Sequence, residues 1–238
     1  MIRTIFGFIY FSLYLISMIP KLWKVRKLER AGRIAERDVL VSKGVQDWAK
    51  MVVGLSGGTV SVVGEENVPV EGAVVFVGNH QSYFDIPILL GFIGKPKAFV
   101  SKIEIIKVPL LSDWMKLMQC SFMDRKDMRQ SVRAIHEAID SIKRGYSMVI
   151  FPEGTRSKGG PVGEFKAGSF KLALKAGVPV VPVTINGSWR LFEEKGVMKP
   201  DRVFVTIHPP VPTAGLTKEE TEALPAKVQA IIESAMTR

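Results

Sequence analysis

The chain has 238 residues and a formal net charge of +10, from 33 Lys and Arg against 23 Asp and Glu. Hydrophobic residues make up 47% and charged residues 24%, a balance that excludes an intrinsically disordered chain and permits one domain with an appendage. A single cysteine, Cys120, excludes a disulfide scaffold and a cysteine-rich zinc site, and a reducing compartment is its simplest setting. The positive charge indicates a polyanionic partner, which is a nucleic acid, an acidic membrane or a phosphorylated substrate.

The first 30 residues favour the membrane among these partners. Residues 5–19 carry no charge, and a basic segment begins at Lys21. A helix that crosses a bilayer needs about 20 apolar residues, so residues 4–20 predict either a short span or a helix lying in one leaflet. A cleaved signal peptide is disfavoured, because no small-residue cleavage site occurs before Pro20 and the downstream flank is basic.

The basic flank predicts contact with an anionic membrane surface. It also predicts that the protein lies at the cytoplasmic face of the cell (inner) membrane, either peripherally or through a short N-terminal anchor. The cations of this flank are Lys21, Lys24, Arg26, Lys27, Arg30 and Arg33.

Apolar residues then recur at steps of three or four from Val25 to Val52, which predicts an amphipathic helix or helical pair. Its apolar face either packs on the domain behind it or rests on the membrane, and the sequence leaves both open. Glycines between Gly54 and Gly64 mark the end of this helical region. We therefore divide the chain into N-terminal membrane-associating helices, residues 1–55, and an α/β domain, residues 56–238.

Short apolar runs of the kind found in buried strands alternate with helical patterns in the second part of the chain. Strands are predicted at 59–63, 73–77, 98–101, 147–151, 178–183 and 203–208. The alternation predicts an α/β fold with a largely parallel central sheet flanked by helices, and with functional groups at the strand ends.

Two of the helices carry start signals. Asp127, with Gln130 three residues later, predicts the start of a helix that ends near Gly145. Thr217 and Glu220 form a capping-box pattern for a C-terminal helix. Pro225 is expected to interrupt or restart that helix, since proline lacks the backbone N–H. A shorter helix is predicted over 168–177.

The loop after the strand at 73–77 reads NHQSYFD, residues 79–85. His80 and Asp85 can meet if this loop turns into a helix. A carboxylate bonded to one imidazole nitrogen fixes the tautomer and leaves the other nitrogen to accept a proton. From spacing alone, the alternative stays open that Asp85 caps the next helix and His80 is a polar loop residue. The chain has no paired His or Cys cluster, so no metal site is predicted.

Two further loops carry cations suited to an anion. The segment FPEGTRS, residues 151–157, forms a Pro/Gly turn in which Arg156 offers a planar fork of donors for phosphate. Lys102 leaves a strand end and Arg125 precedes a helix, where cations can converge. Taken singly, each of these is more typical of an ordinary surface turn or surface charge than of a binding site.

The combination of segments is more specific than any one of them. NHQSYFD at 79–85, Lys102-x-Glu104 with the residues 122–125, FPEGTRS at 151–157 and the strand at 180–183 occur in the order and spacing of the four blocks of the glycerolipid acyltransferase family. Over roughly residues 60–210, the chain resembles the bacterial 1-acyl-glycerol-3-phosphate acyltransferase branch of that family, with its His-x4-Asp and FPEGTRS motifs.

This resemblance implies a set of roles. His80 would be the general base and Asp85 its orienting carboxylate. Lys102, Arg125 and Arg156 would bind the acceptor phosphate. Glu153 and Thr155 would hold the turn or a glycerol hydroxyl. Gly154 would allow the backbone to approach the substrate closely. The strand at 180–183 would form a wall of the site.

The implied reaction moves a fatty acyl chain from an acyl thioester to the sn-2 hydroxyl of lysophosphatidic acid, giving phosphatidic acid for phospholipid biosynthesis. The donor would be acyl carrier protein or coenzyme A thioester, with no bound cofactor and no acyl-enzyme. Acylation of glycerol-3-phosphate or another lysolipid is the alternative within the class. A non-catalytic basic module is the alternative outside it, and nucleic acid is not expected as a partner because the cations are not interleaved with aromatic residues.

Overall fold

The computed structural model describes residues 1–124 and 126–236, which have the expected α/β architecture. The helices of this part are α1 (Ile2–Ser17), α2 (Ile19–Arg30), α3 (Ile34–Ser56), α4 (Asp85–Phe92), α5 (Leu111–Leu117), α6 (Met128–Lys143), α7 (Ala167–Ala176) and α8 (Lys218–Ser234). Its strands are β1 (Thr59–Val63), β2 (Val75–Gly78), β3 (Lys97–Lys102), β4 (Ser121–Met123), β5 (Ser147–Ile150), β6 (Val180–Asn186) and β7 (Arg202–Ile207). Short 3-10 helices lie at Glu65–Asn67, Ile103–Lys107 and Ser188–Leu191.

These strands form one sheet in the order β1-β7-β6-β2-β5-β3-β4. Every neighbouring pair is parallel except β6 with β7, so the prediction of a largely parallel sheet is confirmed. β2 lies in the centre, and all four of its residues are buried, which explains its continuously apolar sequence. Because β6, β2, β5, β3 and β4 run in the same direction, the segments that follow them emerge at one edge of the sheet.

Helices pack on this sheet in two groups. α3 contacts α1, α2, α4 and α5, whereas α6 contacts α7 and α7 contacts α8. One hydrophobic core joins the buried face of α3, the strands and α8, so the helical region before β1 shares its packing with the rest of the chain. The open question about the segment from Val25 to Val52 is thereby answered for its buried residues, which pack on the domain.

Among the differences from the sequence predictions are one strand and one proline. β4 was not predicted, because it has three residues of which only Ser121 is buried, too few to show a pattern. Pro225 was wrongly expected to interrupt the C-terminal helix, and α8 instead runs through it. An interior proline costs a helix about 3 kcal/mol. Here Leu224, Pro225, Val228 and Ile232 are buried against the core, and this packing offsets that cost.

The capping signals were read correctly. Asp127 accepts hydrogen bonds from the backbone N–H groups of Arg129 and Gln130 at the start of α6. Thr217 and Glu220 form the complete capping box at the start of α8.

α1 lies antiparallel along α3. At its N-terminal end, Arg3 Nη1 donates to the carbonyl of Ser56, the last residue of α3. Further along, the rings of Phe11 and Trp48 meet edge to face, 6.0 Å between centroids. The helical segment from Ile2 to Arg30 is long and apolar enough to cross a membrane by length and composition, and 17% of its most apolar window is buried.

The outer side of α1 is therefore an exposed apolar surface. We call it the α1 outer face, and it consists of Ile2, Ile5, Phe6, Phe8, Ile9, Tyr10, Leu13 and Ile16, each at least half exposed. Soluble monomers rarely expose a contiguous apolar surface of this kind without a partner.

Lys97 is a buried cation that holds the far end of α4. Its Nζ donates to the carbonyls of Leu89 at 2.9 Å and Ile93 at 2.8 Å. Carbonyls at the end of a helix lack partners within the helix, so this ammonium group satisfies them. Burial, with a smaller contribution from the charge of Lys95, lowers the pKa of Lys97 from 10.5 to about 7. α4 begins at Asp85, so Lys97 fixes the end of the helix opposite the candidate site.

We expect Lys97 to make the protein more stable as the pH rises. The folded protein releases the Lys97 proton near pH 7, whereas the unfolded chain keeps it until 10.5, so the unfolded state binds more protons between these values. The free energy of unfolding of the wild type, measured by denaturant titration, should therefore rise with pH relative to that of Lys97→Met. The exposed Lys116→Met is the control and should show no such trend. A difference that is constant or falls with pH would contradict this prediction.

Candidate active site

The loop between β2 and α4 brings His80 and Asp85 together. His80 Nδ1 lies 2.7 Å from Asp85 Oδ2. α4 begins at Asp85, and its N-cap residue, Phe84, makes no side-chain cap. Of the two interpretations of this spacing, the structure has the one in which the imidazole and the carboxylate meet.

Asp85 is fully buried and accepts four hydrogen bonds. Besides His80, its Oδ2 accepts the backbone N–H groups of Gln81 at 2.7 Å and Ser82 at 2.8 Å, and its Oδ1 accepts Ser188 Oγ at 2.5 Å. A carboxylate oxygen that already accepts two backbone amides also acts as an acceptor toward the ring, so we infer that Nδ1 of His80 carries the proton.

This tautomer leaves the Nε2 lone pair of His80 to accept a proton. Within residues 1–124 and 126–236 no hydrogen bond to Nε2 is formed. The imidazole of His80 stacks on the ring of Phe151, with 4.1 Å between the two ring centroids. The side chain of His80 is 17% exposed. His80 thus has one nitrogen fixed by protein and the other open to a small group in the site.

Glu153 joins the second loop to the first. Its Oε1 accepts the backbone N–H of His80 at 2.6 Å, and its Oε2 accepts that of Gly163 at 2.9 Å. Burial raises the pKa of Glu153, and the two backbone bonds partly oppose that shift. The carbonyl of His80 also accepts the N–H of Ser157 at 2.8 Å. The backbone of His80 is therefore fixed on both sides by residues 153–157.

The other two members of the turn are Gly154 and Thr155. Gly154 has φ +71°, a conformation that favours glycine, and Thr155 is exposed. A Cβ added to Gly154 would lie 3.2 Å from Nζ of Lys166.

Arg156 lies beside the first loop. Its Nη1 donates to Glu193 Oε1 at 2.9 Å, and its guanidinium carbon lies 3.5 Å from the centroid of the Tyr83 ring. Glu193 also accepts Ser82 Oγ at 2.6 Å and the N–H of Tyr83 at 2.8 Å. Arg156 is therefore held between an aromatic ring and a buried carboxylate.

Sequence reasoning did not find Ser188 and Glu193. Both follow β6, in the segment 187–193, and both contact residues more than 100 positions earlier in the chain. The positive φ of Gly187 is compatible with a sharp turn there, but no motif points to the carboxylate six residues later.

The remaining predicted parts of the site are Lys102, Arg125 and the strand at 180–183. Lys102 ends β3 and is exposed, and β5 separates its strand from β2. Arg125 lies outside the described residues. The strand predicted at 180–183 belongs to β6, which is buried throughout and pairs directly with β2.

Cys120 is buried, and burial raises the pKa of its thiol to about 12. The thiolate is the reactive form, so at neutral pH this residue is not a nucleophile. No group of three or more His, Cys, Asp and Glu side chains in the described residues could hold a metal ion.

Comparison with known proteins gives the family. A family model described as Acyltransferase matches residues 59–186, more than half of the chain. The chain belongs to the acyltransferase family. The matched region contains the loop with His80 and Asp85 and the turn with Arg156, and it ends with β6.

Two relatives of this acyltransferase family member illustrate the range of similarity. The chloroplastic 1-acyl-sn-glycerol-3-phosphate acyltransferase LPAT1 of Arabidopsis thaliana is 38% identical over 64% of the chain and 43% of the plant protein. The 1-acyl-sn-glycerol-3-phosphate acyltransferase of Borreliella burgdorferi is 31% identical over 74% of the chain and 70% of the bacterial protein. The chain thus spans less than half the length of the plant relative.

A solved structure matches nearly the whole acyltransferase. The crystal structure of PlsC from Thermotoga maritima, a 1-acyl-sn-glycerophosphate (LPA) acyltransferase, has a TM-score of 0.76 and 31% identity. The match covers 98% of this chain and 95% of that one, so it includes the helices before β1.

Proposed function

We propose that this protein transfers a fatty acyl chain from an acyl thioester to the sn-2 hydroxyl of lysophosphatidic acid, giving phosphatidic acid for phospholipid biosynthesis. The observation that carries the proposal is the contact between His80 Nδ1 and the buried carboxylate of Asp85, 2.7 Å apart at the end of the central strand. Membership of the acyltransferase family supports acyl transfer, and the names of the plant, Borreliella and Thermotoga relatives support the same acceptor.

In this proposal His80 is the general base. Its Nε2 removes the proton from the sn-2 hydroxyl as the oxygen attacks the thioester carbonyl, and Asp85 stabilises the imidazolium that forms. The tetrahedral intermediate then expels the thiolate, which takes the proton from Nε2 and leaves as the free thiol. The ester forms directly on the acceptor, and no acyl-enzyme is needed.

Cations would bind the acceptor phosphate. We assign this role to Lys102, Arg125 and Arg156. Glu153, Gly154 and Thr155 would shape the turn beneath the glycerol, and the contacts of Glu153 with the backbone of His80 support a role in holding this turn. These cations would then bind the phosphate, while His80 acts on the hydroxyl.

Replacing Arg156 with alanine is expected to raise the KM for lysophosphatidic acid about tenfold or more and to leave the KM for the thioester within about twofold, because a charge-assisted bond to the phosphate is lost. Steady-state kinetics with each substrate varied in turn would measure this. The exposed Arg129→Ala, on α6, is the matched control. An equal rise in both KM values would contradict the phosphate role.

In the acyltransferase family the acyl donor is a substrate and not a bound cofactor. We propose acyl carrier protein or coenzyme A thioester as that donor. The decisive experiment is a transfer assay in which the purified protein meets each thioester with lysophosphatidic acid, glycerol-3-phosphate or another lysolipid as acceptor. Preference for lysophosphatidic acid is expected. Preference for another acceptor would replace this substrate assignment, and no transfer to any acceptor would refute the proposed reaction.

We also propose that residues 1–55 bind an anionic membrane surface and that residues 56–238 form the acyltransferase domain. The α1 outer face and the basic residues of α2 support this arrangement, with the protein on the cytoplasmic face of the inner membrane. α1 contacts α3 along its length, as at Arg3 and Phe11, which favours a helix lying in one leaflet over one that crosses the bilayer. A lipid acceptor could then reach the site from the leaflet on which the domain rests.

A further inference from the structure

The charge around Arg156 is unusual for a group meant to bind phosphate. Its nearest charged neighbour is a carboxylate, Glu193, whose side chain is only 4% exposed. A negative charge beside a phosphate site weakens phosphate binding by simple Coulomb repulsion. The buried carboxylate of Glu193 therefore has some other function beside Arg156 that outweighs this repulsion.

The hydrogen bonds indicate what that function is. A guanidinium group can present two edges to a phosphate, one with Nη1 and Nη2 and one with Nε and Nη2. Glu193 accepts one of the two N–H bonds of Nη1, so the edge with Nε and Nη2 is the one that keeps both of its donors for a bidentate contact. The Tyr83 ring, 3.5 Å from the guanidinium carbon, holds the plane of the group.

The same carboxylate is anchored to the loop that carries His80. It accepts the hydroxyl of Ser82 and the backbone N–H of Tyr83, and Ser82 donates its own backbone N–H to Asp85. Arg156 and the imidazole of His80 are thereby both anchored to the same loop. The distance between a bound phosphate and the proton-accepting nitrogen would then be fixed by protein contacts before the substrate enters.

We propose that Glu193 is a positioning residue that selects which edge of Arg156 faces the acceptor phosphate and fixes that edge relative to His80. The inference deepens the proposed function, since it rests on Arg156 as the phosphate ligand. Glu193 does not touch the reacting atoms, and its effect passes through Arg156.

The test compares Glu193→Ala, Glu193→Asp and Glu193→Gln. Alanine removes the acceptor and aspartate withdraws it by one methylene, so both should raise the KM for lysophosphatidic acid about tenfold and leave the KM for the thioester unchanged. Glutamine keeps an acceptor oxygen and should restore the KM to within about threefold of the wild type. Aspartate keeps the experiment informative if the alanine variant fails to fold, which thermal unfolding would reveal.

The direction of the change separates positioning from charge neutralisation. If Glu193 only neutralised Arg156, alanine and glutamine would both lower the KM for the acceptor, and that result would overturn the proposal. In an Arg156→Ala background, Glu193→Ala should change the acceptor KM less than about twofold, because the group it positions is absent. An equal effect in both backgrounds would show that Glu193 merely supports the loop, which also overturns it.

A binding measurement separates this inference from the proposed reaction. The affinity for lysophosphatidic acid in detergent micelles, without any thioester, should fall in Glu193→Ala and Arg156→Ala alike. If that pattern is found and no acyl transfer occurs, the proposed function fails and the positioning role stands. If transfer occurs and the affinity of Glu193→Ala equals that of the wild type, the positioning role fails and the function stands.

Discussion

Replacing His80 with alanine is expected to lower kcat for acyl transfer to lysophosphatidic acid by about 10² to 10⁴, the range for loss of a positioned general base. The fold should survive, because the bonds that the backbone of residue 80 makes to Glu153 and Ser157 do not involve the imidazole. Product formation from a radiolabelled thioester would measure the rate, and a thermal melt would check the fold.

His136→Ala is the matched control for that experiment. His136 is exposed on α6, outside the loop between β2 and α4, so its removal should leave kcat unchanged. A His80→Ala variant that turns over like the wild type would refute the assignment of the base. Folded but inactive protein, together with an active His136→Ala, would support it.

Replacing Phe6, Ile9 and Leu13 of the α1 outer face with glutamine is expected to weaken binding to anionic vesicles by at least about two orders of magnitude. Each side chain is more than half exposed, so each would lose about 1 kcal/mol or more of transfer free energy on leaving the lipid. Vesicle sedimentation of the full chain would measure the partition coefficient. Glutamine is a good helix former, so α1 itself should persist.

The control for this variant carries polar substitutions at exposed apolar residues outside the helices. Val63→Thr, Val70→Gln and Phe204→Gln place polar groups at exposed apolar positions of the strands and loops. These changes should leave vesicle binding within about twofold of the wild type. If the two variants lose binding equally, the α1 outer face is not the membrane contact.

Much of the fold could be predicted because local sequence and tertiary packing agree. β2 is buried on both faces, so its continuous apolar run identifies it without knowledge of its partners. The starts of α6 and α8 were readable because Asp127 and Thr217 bond backbone groups within their own first turn. The prediction that Pro225 interrupts the last helix was wrong because the packing that stabilises this helix comes from residues far away in the chain.

In the candidate site, too, local contacts could be predicted from the sequence and long-range contacts could not. His80 and Asp85 are five residues apart, so a single turn brings them together, and the loop sequence alone raised that contact as one of two possibilities. Ser188 and Glu193 reach the site only because β6 lies beside β2, an arrangement set by strand order. Strand order depends on long-range pairing, which leaves no periodic signal in the sequence around these two residues.

The antiparallel contact of the first helix with the third has a practical consequence for obtaining this enzyme in water. Deleting the apolar N-terminal helix would expose Trp48 and leave the carbonyl of Ser56 without the hydrogen bond from Arg3. The deletion would therefore replace one exposed apolar surface with another. Replacing only the outward apolar side chains with polar ones, while Phe11 and Arg3 are kept, is the route to a detergent-free preparation that retains the native packing of α1 on α3.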